Sequence, residues 1–320
     1  MHQPTAAAVH FPPADGIAVQ RGFRAEVYAR GLDRPTAMAF GPDGRLYVSE
    51  QGGDIVTVGP RGEHPALAAS GFATPLGLAW HGRTLYVSSQ GRVSALRYRD
   101  GTLAPPRPVV SGLPFGLHQQ DDVVFAPDGR LYLGSGSTCN ACRERDARSA
   151  AVLSVRPDGR GLHVVARGLR NPYGLAVDPG TGRLFATVNG RDDLGDDEPA
   201  DSVVVVRPGR DFGWPGCWPS YRERRLVGAC GGVTPPLAYL EPHSSADGLA
   251  FWRGALYVAL WGQYYAAKHG RYVVRVDPRS GRVATFARGF EHPLAVTVDP
   301  RGALLVADYG RGIVYRFRPR

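Results

Sequence analysis

Short apolar runs alternate with tight polar turns along this chain. The clearest copies read Pro42-Asp43-Gly44-Arg45-Leu46-Tyr47-Val48 and Pro127-Asp128-Gly129-Arg130-Leu131-Tyr132-Leu133. Looser copies stand at Gly82–Val87, Gly182–Phe185, Gly254–Val258 and Gly302–Val306. Asp-Gly suits a hairpin turn, because Gly accepts positive φ and the Asp side chain bonds nearby backbone. Leu-Tyr-Val has the β-branched and aromatic character of a strand. Each unit adds a small-residue strand before this run, a third strand after it, and an outer strand ending in Gly. Units spaced by roughly 40 to 50 residues have the period of propeller blades. Six units are legible. The pattern predicts an all-β, six-bladed β-propeller over residues 22–320, with residues 1–21 a disordered or extended lead-in. An outer-type strand, Arg24–Ala29, precedes every inner strand, and the last unit stops at its third strand near Arg318. Arg24–Ala29 is therefore expected to complete the last blade and close the ring. Helical periodicity is confined to a weak signal over Arg143–Ala150.

Composition fits this picture. Of 320 residues 43% are hydrophobic, and Gly 42 with Pro 27 suits a turn-dense β chain. No apolar run reaches the roughly eighteen residues a membrane helix needs. Net charge is +9, and every basic residue except Lys268 is Arg. The arginines are scattered over the units, which argues against nucleic acid and leaves a cationic pocket for a small anion. The cysteines fall as Cys139-x-x-Cys142 and Cys217 with Cys230. Local disulfides, free thiols and half of a metal site are all compatible with this spacing, and disulfides imply a periplasmic or secreted protein.

A propeller gathers one set of loops at one end of its channel. The longest such loops belong to the third and fourth units, and long loops on a rigid scaffold carry function. His118 lies in Gly116–Asp122, where an imidazole can act as general base. Arg170-Asn171 adds a cation and an amide suited to a carboxylate or a polarised carbonyl. The acidic run Asn189–Glu198 is rich in oxygen ligands and glycine, which suits Ca²⁺.

These residues resemble the soluble pyrroloquinoline quinone (PQQ)-dependent sugar dehydrogenases, six-bladed propellers that include glucose and L-sorbosone dehydrogenases. The matching stretches are His118-Gln119 before Val123-Val124-Phe125 and Pro127-Asp128, Arg170-Asn171-Pro172-Tyr173-Gly174-Leu175-Ala176, the acidic loop Asn189–Asp201, and Phe212-Gly213-Trp214-Pro215. Gly136-Ser137-x-Cys139-Asn140-x-Cys142 looks like the sorbosone branch in particular. The resemblance implies that His118 takes a substrate hydroxyl proton while hydride passes to PQQ, and that Arg170 stabilises the negative charge on the quinone oxygen. It also implies cofactor contacts from Gln119, Asn171, Lys268 and Trp261, and Ca²⁺ held by backbone oxygens at Gly190 and Arg191. The implied substrate is a sugar or a sugar-derived alcohol or aldehyde, with an unspecified electron acceptor, and the implied assembly is a monomer or homodimer. The chain departs from the family at Glu291-His292-Pro293, where Arg commonly precedes Pro, and at Ser137, where an Asp stands behind the catalytic His. Two other classes share the architecture. One is a metal-dependent lactonase or lyase built on Glu50, Asn171, Asn189 and Asp308. The other is a non-catalytic propeller that binds sugars or proteins.

Overall fold

The computed structural model describes residues 11–264 and 268–320, all in strands, turns and loops, with no helix among the described residues. Six antiparallel sheets form a ring of blades. Blade 1 is Pro35–Phe40, Leu46–Glu50, Ile55–Val58 and Ala66–Ala69. Blade 2 runs Gly77–His81, Thr84–Ser89, Arg92–Arg99 and Arg107–Ser111, and blade 3 runs Gln120–Phe125, Leu131–Ser135, Ala151–Val155 and His163–Arg167. Blade 4 is Leu175–Val177, Leu184–Val188, Ala200–Val206 and Ala238–Pro242. Blade 5 is Ala246–Trp252, Ala255–Leu260, Tyr272–Val276 and Val283–Arg288. Blade 6 is Pro293–Val298, Leu304–Asp308 and Ile313–Pro319, completed by Phe23–Ala29.

The Leu-Tyr-Val runs form the second strand of each blade because both faces of that strand find apolar cover. Leu46 and Val48 pack toward blade 6, whereas Tyr47 between them packs toward blade 2. Six apolar cores result, one between each pair of neighbouring blades. The Asp-Gly turns behave as their chemistry demands. Asp43 and Asp128 accept the amides of Arg45 and Arg130 at 3.1 and 3.0 Å, and Gly44 and Gly129 take φ of 75° and 76°.

Ring closure rests on a buried charge network as well as on the backbone ladder. Glu26 accepts hydrogen bonds from Arg316 and Arg318, and Arg316 Nε also donates to Asp299 at 3.0 Å. Glu26, Asp299 and Arg316 are all buried. Glu26→Gln keeps the shape but removes the charge from these bonds. It is expected to lower unfolding stability by about 2 kcal/mol, read as a shifted urea midpoint with unchanged slope.

Three features differ from the sequence expectation or extend it. The Arg143–Ala150 periodicity yields no helix, because Arg148 doubles back on Asp146 through its backbone and guanidinium, and Ser149 N bonds Asp146 O. The outer strand of blade 4, Ala238–Pro242, follows an excursion that holds the small hairpin Cys217–Pro219/Leu226–Gly228. Residues 11–19 run along the ring: Phe11 stacks on Tyr28 at 5.1 Å, and Ala18–Val19 pairs with the outer strand of blade 5. The lead-in expected for residues 1–10 lies outside the described residues.

Candidate functional site

First-strand lead-in loops and the loops after second strands reach the same end of the ring, because each blade is an up-and-down meander. Three consecutive blades build one cavity there, of about 720 Å³. Blade 3 contributes Leu117 and His118; blade 4 contributes Arg170, Asn171, Tyr173, Asn189, Gly190 and Asp192; blade 5 contributes His243, Asp247, Trp261 and Tyr264. Gly136 permits this convergence. A Cβ at 136 would lie 2.4 Å from His118 Cβ and 2.5 Å from Asn171 Oδ1.

His118 is oriented by blade 3. Its Nδ1 stands 2.9 Å from Ser137 Oγ and 3.2 Å from Ser137 O. The carbonyl can only accept, and the Ser137 hydroxyl already donates to Cys139 O at 2.6 Å. Nδ1 therefore carries the proton, and Nε2 keeps a lone pair. Burial, together with the Arg170 charge, lowers the His118 pKa to about 4. The imidazole is neutral at neutral pH and able to accept a proton.

Arg170 is 4% exposed and strongly held. Its Nε donates to Asn140 O at 3.1 Å, and Nη2 donates to Asn140 Oδ1 at 2.9 Å and to Asp192. Burial pulls its pKa below the usual guanidinium value, while Asp192 and Asp201 oppose that pull. Asp192 also faces His243 Nδ1 at 3.6 Å. His243 Nε2 lies 2.8 and 3.0 Å from the carbonyls of Gly195 and Glu198, and Asp192 foremost raises its pKa to about 9. His243 (φ 49°) and Ser245 (φ 48°) take left-handed backbone on either side of Ser244, whose hydroxyl donates to buried Asp201 at 3.1 Å. Asp201 accepts Gly190 N and Ala246 N as well, which ties the blade 4 and blade 5 loops together.

The His243 pair carries a pH signature. Its folded pKa lies above the unfolded value, so its stabilising contribution is full below about 6.5 and is lost as pH rises through about 9. The 192–198 loop is expected to gain amide-exchange rate above pH 9, in step with His243 titration followed by NMR. A His243→Gln variant should lack that step.

Two carboxylates stand at the cavity and its blade 3–blade 4 seam: buried Asp247, which lines it, and half-buried Asp122. Asp247 accepts from Asn189 Nδ2 at 3.0 Å, and burial raises its pKa to about 8. Asp122 clamps blade 3 to blade 4 by accepting Leu175 N at 3.1 Å, and burial raises it to about 7. Asn171 Oδ1 and Asn189 Oδ1 are buried without a hydrogen-bond partner among the described residues. These hard oxygens beside Gly190 suit Ca²⁺. Asp192 and Asp196 line the same wall, so an anionic ligand is favoured there only with Arg170 and an added cation to offset them. The Trp261 ring lines the cavity between His292, stacked on it at 4.0 Å, and Tyr264, near-parallel at 6.2 Å, so the site holds an aromatic stack of the kind a planar ligand can join. The donor set thus fits an anionic, planar cofactor together with Ca²⁺.

The structure brings His118, Arg170, Asn171, Gly190 and Trp261 to this cavity, and it turns three other side chains elsewhere. Gln119 Nε2 donates to Thr74 O at 2.7 Å. Lys268 pairs with Asp197, and neither residue lines the cavity. The Arg191 side chain pairs with Asp193 and lies over Trp218, and Arg191 does not line the cavity that Gly190 and Asp192 line on either side of it. The lactonase set is split. Glu50 caps Asp33 N and Asp308 caps Glu291 N and His292 N, away from Asn171 and Asn189. Asp192, His243 and Asn140 escape the sequence reading, although Asp192 sits in the acidic loop and Asn140 in the C-x-x-C motif that it marks. The cysteines form two disulfides, Cys139–Cys142 and Cys217–Cys230.

Residues 88–316 match the family described as Glucose / Sorbosone dehydrogenase, and the chain belongs to that family. A Thermus thermophilus structure, assigned as an oxidoreductase (glucose dehydrogenase), is 28% identical and superposes with TM-score 0.77 over 93% of this chain and 100% of that one. The PQQ-bound form of an aldose sugar dehydrogenase from Streptomyces coelicolor shares the fold at 23% identity, with TM-score 0.72 over 97% of this chain and 100% of that one. Quinoprotein glucose dehydrogenase B of Acinetobacter calcoaceticus is 24% identical over 262 residues, 62% of this chain and 53% of that protein. The chain spans about half the length of that curated relative.

Proposed function

We propose that this protein is a PQQ- and Ca²⁺-dependent dehydrogenase that oxidises a sugar, or a sugar-derived alcohol or aldehyde. The observation that carries the reading is His118, its Nδ1 held by Ser137, lining one cavity with a buried Arg170. Family membership and the likeness to quinoprotein relatives support it. PQQ, when bound, supplies a two-electron acceptor for hydride. Arg170, Asn171 and the Trp261 stack would hold it, with Ca²⁺ on the backbone oxygen of Gly190 and the free amide oxygens beside it.

His118 Nε2 removes the proton from the substrate hydroxyl, and Ser137 holds the ring in the required tautomer. Arg170 presents fixed positive charge where negative charge develops, in a wall that excludes water from its guanidinium. Asp192 pairs with that charge, so an anion at Arg170 must compete with a carboxylate already in place. Exposed Leu117 and Tyr264 at the rim offer apolar faces to a sugar ring. Two disulfides support an oxidising compartment, periplasmic or extracellular. Among the described residues no helix is long and apolar enough to cross a membrane.

The test is reconstitution. Metal-stripped protein is given PQQ and Ca²⁺ and assayed for dye reduction with aldoses and sorbosone. Activity that needs both additions supports the proposal. Hydrolysis of lactones with metal alone would replace it with the lactonase reading, and silence in both assays would leave a binding propeller.

A further inference from the structure

The four-residue ring closed by Cys139–Cys142 contacts Arg170 directly and reaches His118 through Ser137. Inside the ring, Asn140 accepts Arg170 Nε through its carbonyl at 3.1 Å and Arg170 Nη2 through Oδ1 at 2.9 Å. The same Oδ1 accepts Asp192 N at 2.9 Å, and the same carbonyl accepts Trp214 Nε1 at 3.1 Å. At the ring's edge, the Cys139 carbonyl takes the Ser137 hydroxyl that orients His118. The ring is anchored on both sides: Glu144 accepts Thr138 N and Thr138 Oγ1, at 2.6 and 2.8 Å, and Ser137 N bonds Arg170 O at 2.7 Å. No regular secondary structure runs through residues 136–150. Local hydrogen bonds and the disulfide are what fix the two carbonyls in place.

We propose that the Cys139–Cys142 ring is a positioning device for the active site, with Asn140 the residue that sets Arg170 and the Cys139 carbonyl the group that sets His118 through Ser137. The proposal rests on the dehydrogenase reading for its catalytic consequence, but the geometry it claims exists without cofactor. Opening the ring follows from the same arrangement. A dithiol reductant delivers two electrons and two protons, the S–S bond breaks to two thiols, and the reductant becomes its own disulfide. Cys142 is exposed, so this bond is accessible, whereas Cys217 of the other disulfide is 2% exposed. Activity should therefore be thiol-sensitive through one bridge and not the other.

The experiment compares wild type, Asn140→Ala, Asn140→Asp, the double variant Cys139→Ser/Cys142→Ser, and the control Cys217→Ser/Cys230→Ser. The first readout uses ¹⁵N-arginine-labelled protein without PQQ or Ca²⁺. Exchange of the Arg170 Nη2–H is expected to speed up at least tenfold in Asn140→Ala and in the 139/142 variant, and to stay near the wild-type rate in Asn140→Asp, which keeps the Oδ1 acceptor. The second readout is sugar oxidation after reconstitution. The 139/142 variant and mildly reduced wild type are expected to lose at least tenfold in kcat with little change in KM, while mild reduction of the 217/230 control reproduces the wild-type loss. Wild-type exchange and wild-type kcat in both the 139/142 variant and the reduced protein would overturn the proposal. If Asn140→Ala does not fold, mild reduction of the folded wild type decides the same question. Should wild type show no sugar oxidation, the dehydrogenase reading fails by itself, and the exchange data still decide whether the ring positions Arg170.

Discussion

His118→Ala is expected to lower kcat/KM for sugar oxidation by about 10²–10⁴-fold, the range a positioned general base supplies, with the fold intact by near-ultraviolet circular dichroism. The residue sits in a loop at the cavity wall rather than in a blade core, so its loss is chemical more than structural. Its environment also fixes a pH response. Burial and Arg170 hold the imidazole neutral down to about pH 4, so the acid limb of kcat/KM is expected near that value instead of near the ordinary histidine value of about 6.5. The same shift has a stability cost on the acid side. The folded pKa lies below the unfolded one, so the contribution is full above about 6.5 and declines as pH falls toward about 4. Both curves can be recorded on one preparation. An acid limb near the ordinary histidine value would mean that the base is another group, or that Arg170 does not sit beside it.

Arg170→Lys should cost about 10²–10³-fold in kcat, comparable with removing one preorganised oxyanion donor. The substitution keeps the charge, but an ammonium cannot reproduce the planar fork that meets Asn140 O and Oδ1 together. It would also leave Asp192 with a weaker partner and so loosen the 192–198 loop. Steady-state kinetics together with PQQ titration separate the two effects. A loss confined to KM would show that Arg170 only binds. Full activity in Arg170→Lys would remove the charge-stabilising role assigned to it.

The blades were legible because their determinants are local. Pro-Asp-Gly specifies its own turn through the Asp side chain and the glycine φ, and the apolar run after it has only one way to be covered on both faces. Ring closure was legible because one unit lacked a strand and one strand lacked a unit, and Phe23–Ala29 fills that gap. The outer strand of blade 4 was not, since the disulfide-bridged excursion before it interrupts the period. For the candidate site, motifs singled out His118, Arg170 and Asn171, which line one cavity, each on a lead-in loop whose blade was already assigned. Partners set by loops from different blades stayed hidden. Asp192 answers to Arg170 of its own blade and to His243 of blade 5, and no spacing in the sequence reports that meeting. Lys268 shows the reverse case: the resemblance implies a cofactor contact there, yet Lys268 pairs with Asp197 and does not line the cavity.

The central claim is that His118 and Arg170 face one ligand in one cavity and act on it together. Anaerobic stopped-flow spectroscopy of the protein reconstituted with PQQ and Ca²⁺ tests it most directly. Mixing with excess aldose should bleach the oxidised quinone band in a single exponential phase in wild type, and about 10²-fold or more slowly in His118→Ala, with quinone still bound in both. Equal bleaching rates in the two proteins, or no quinone uptake by wild type, would contradict the account.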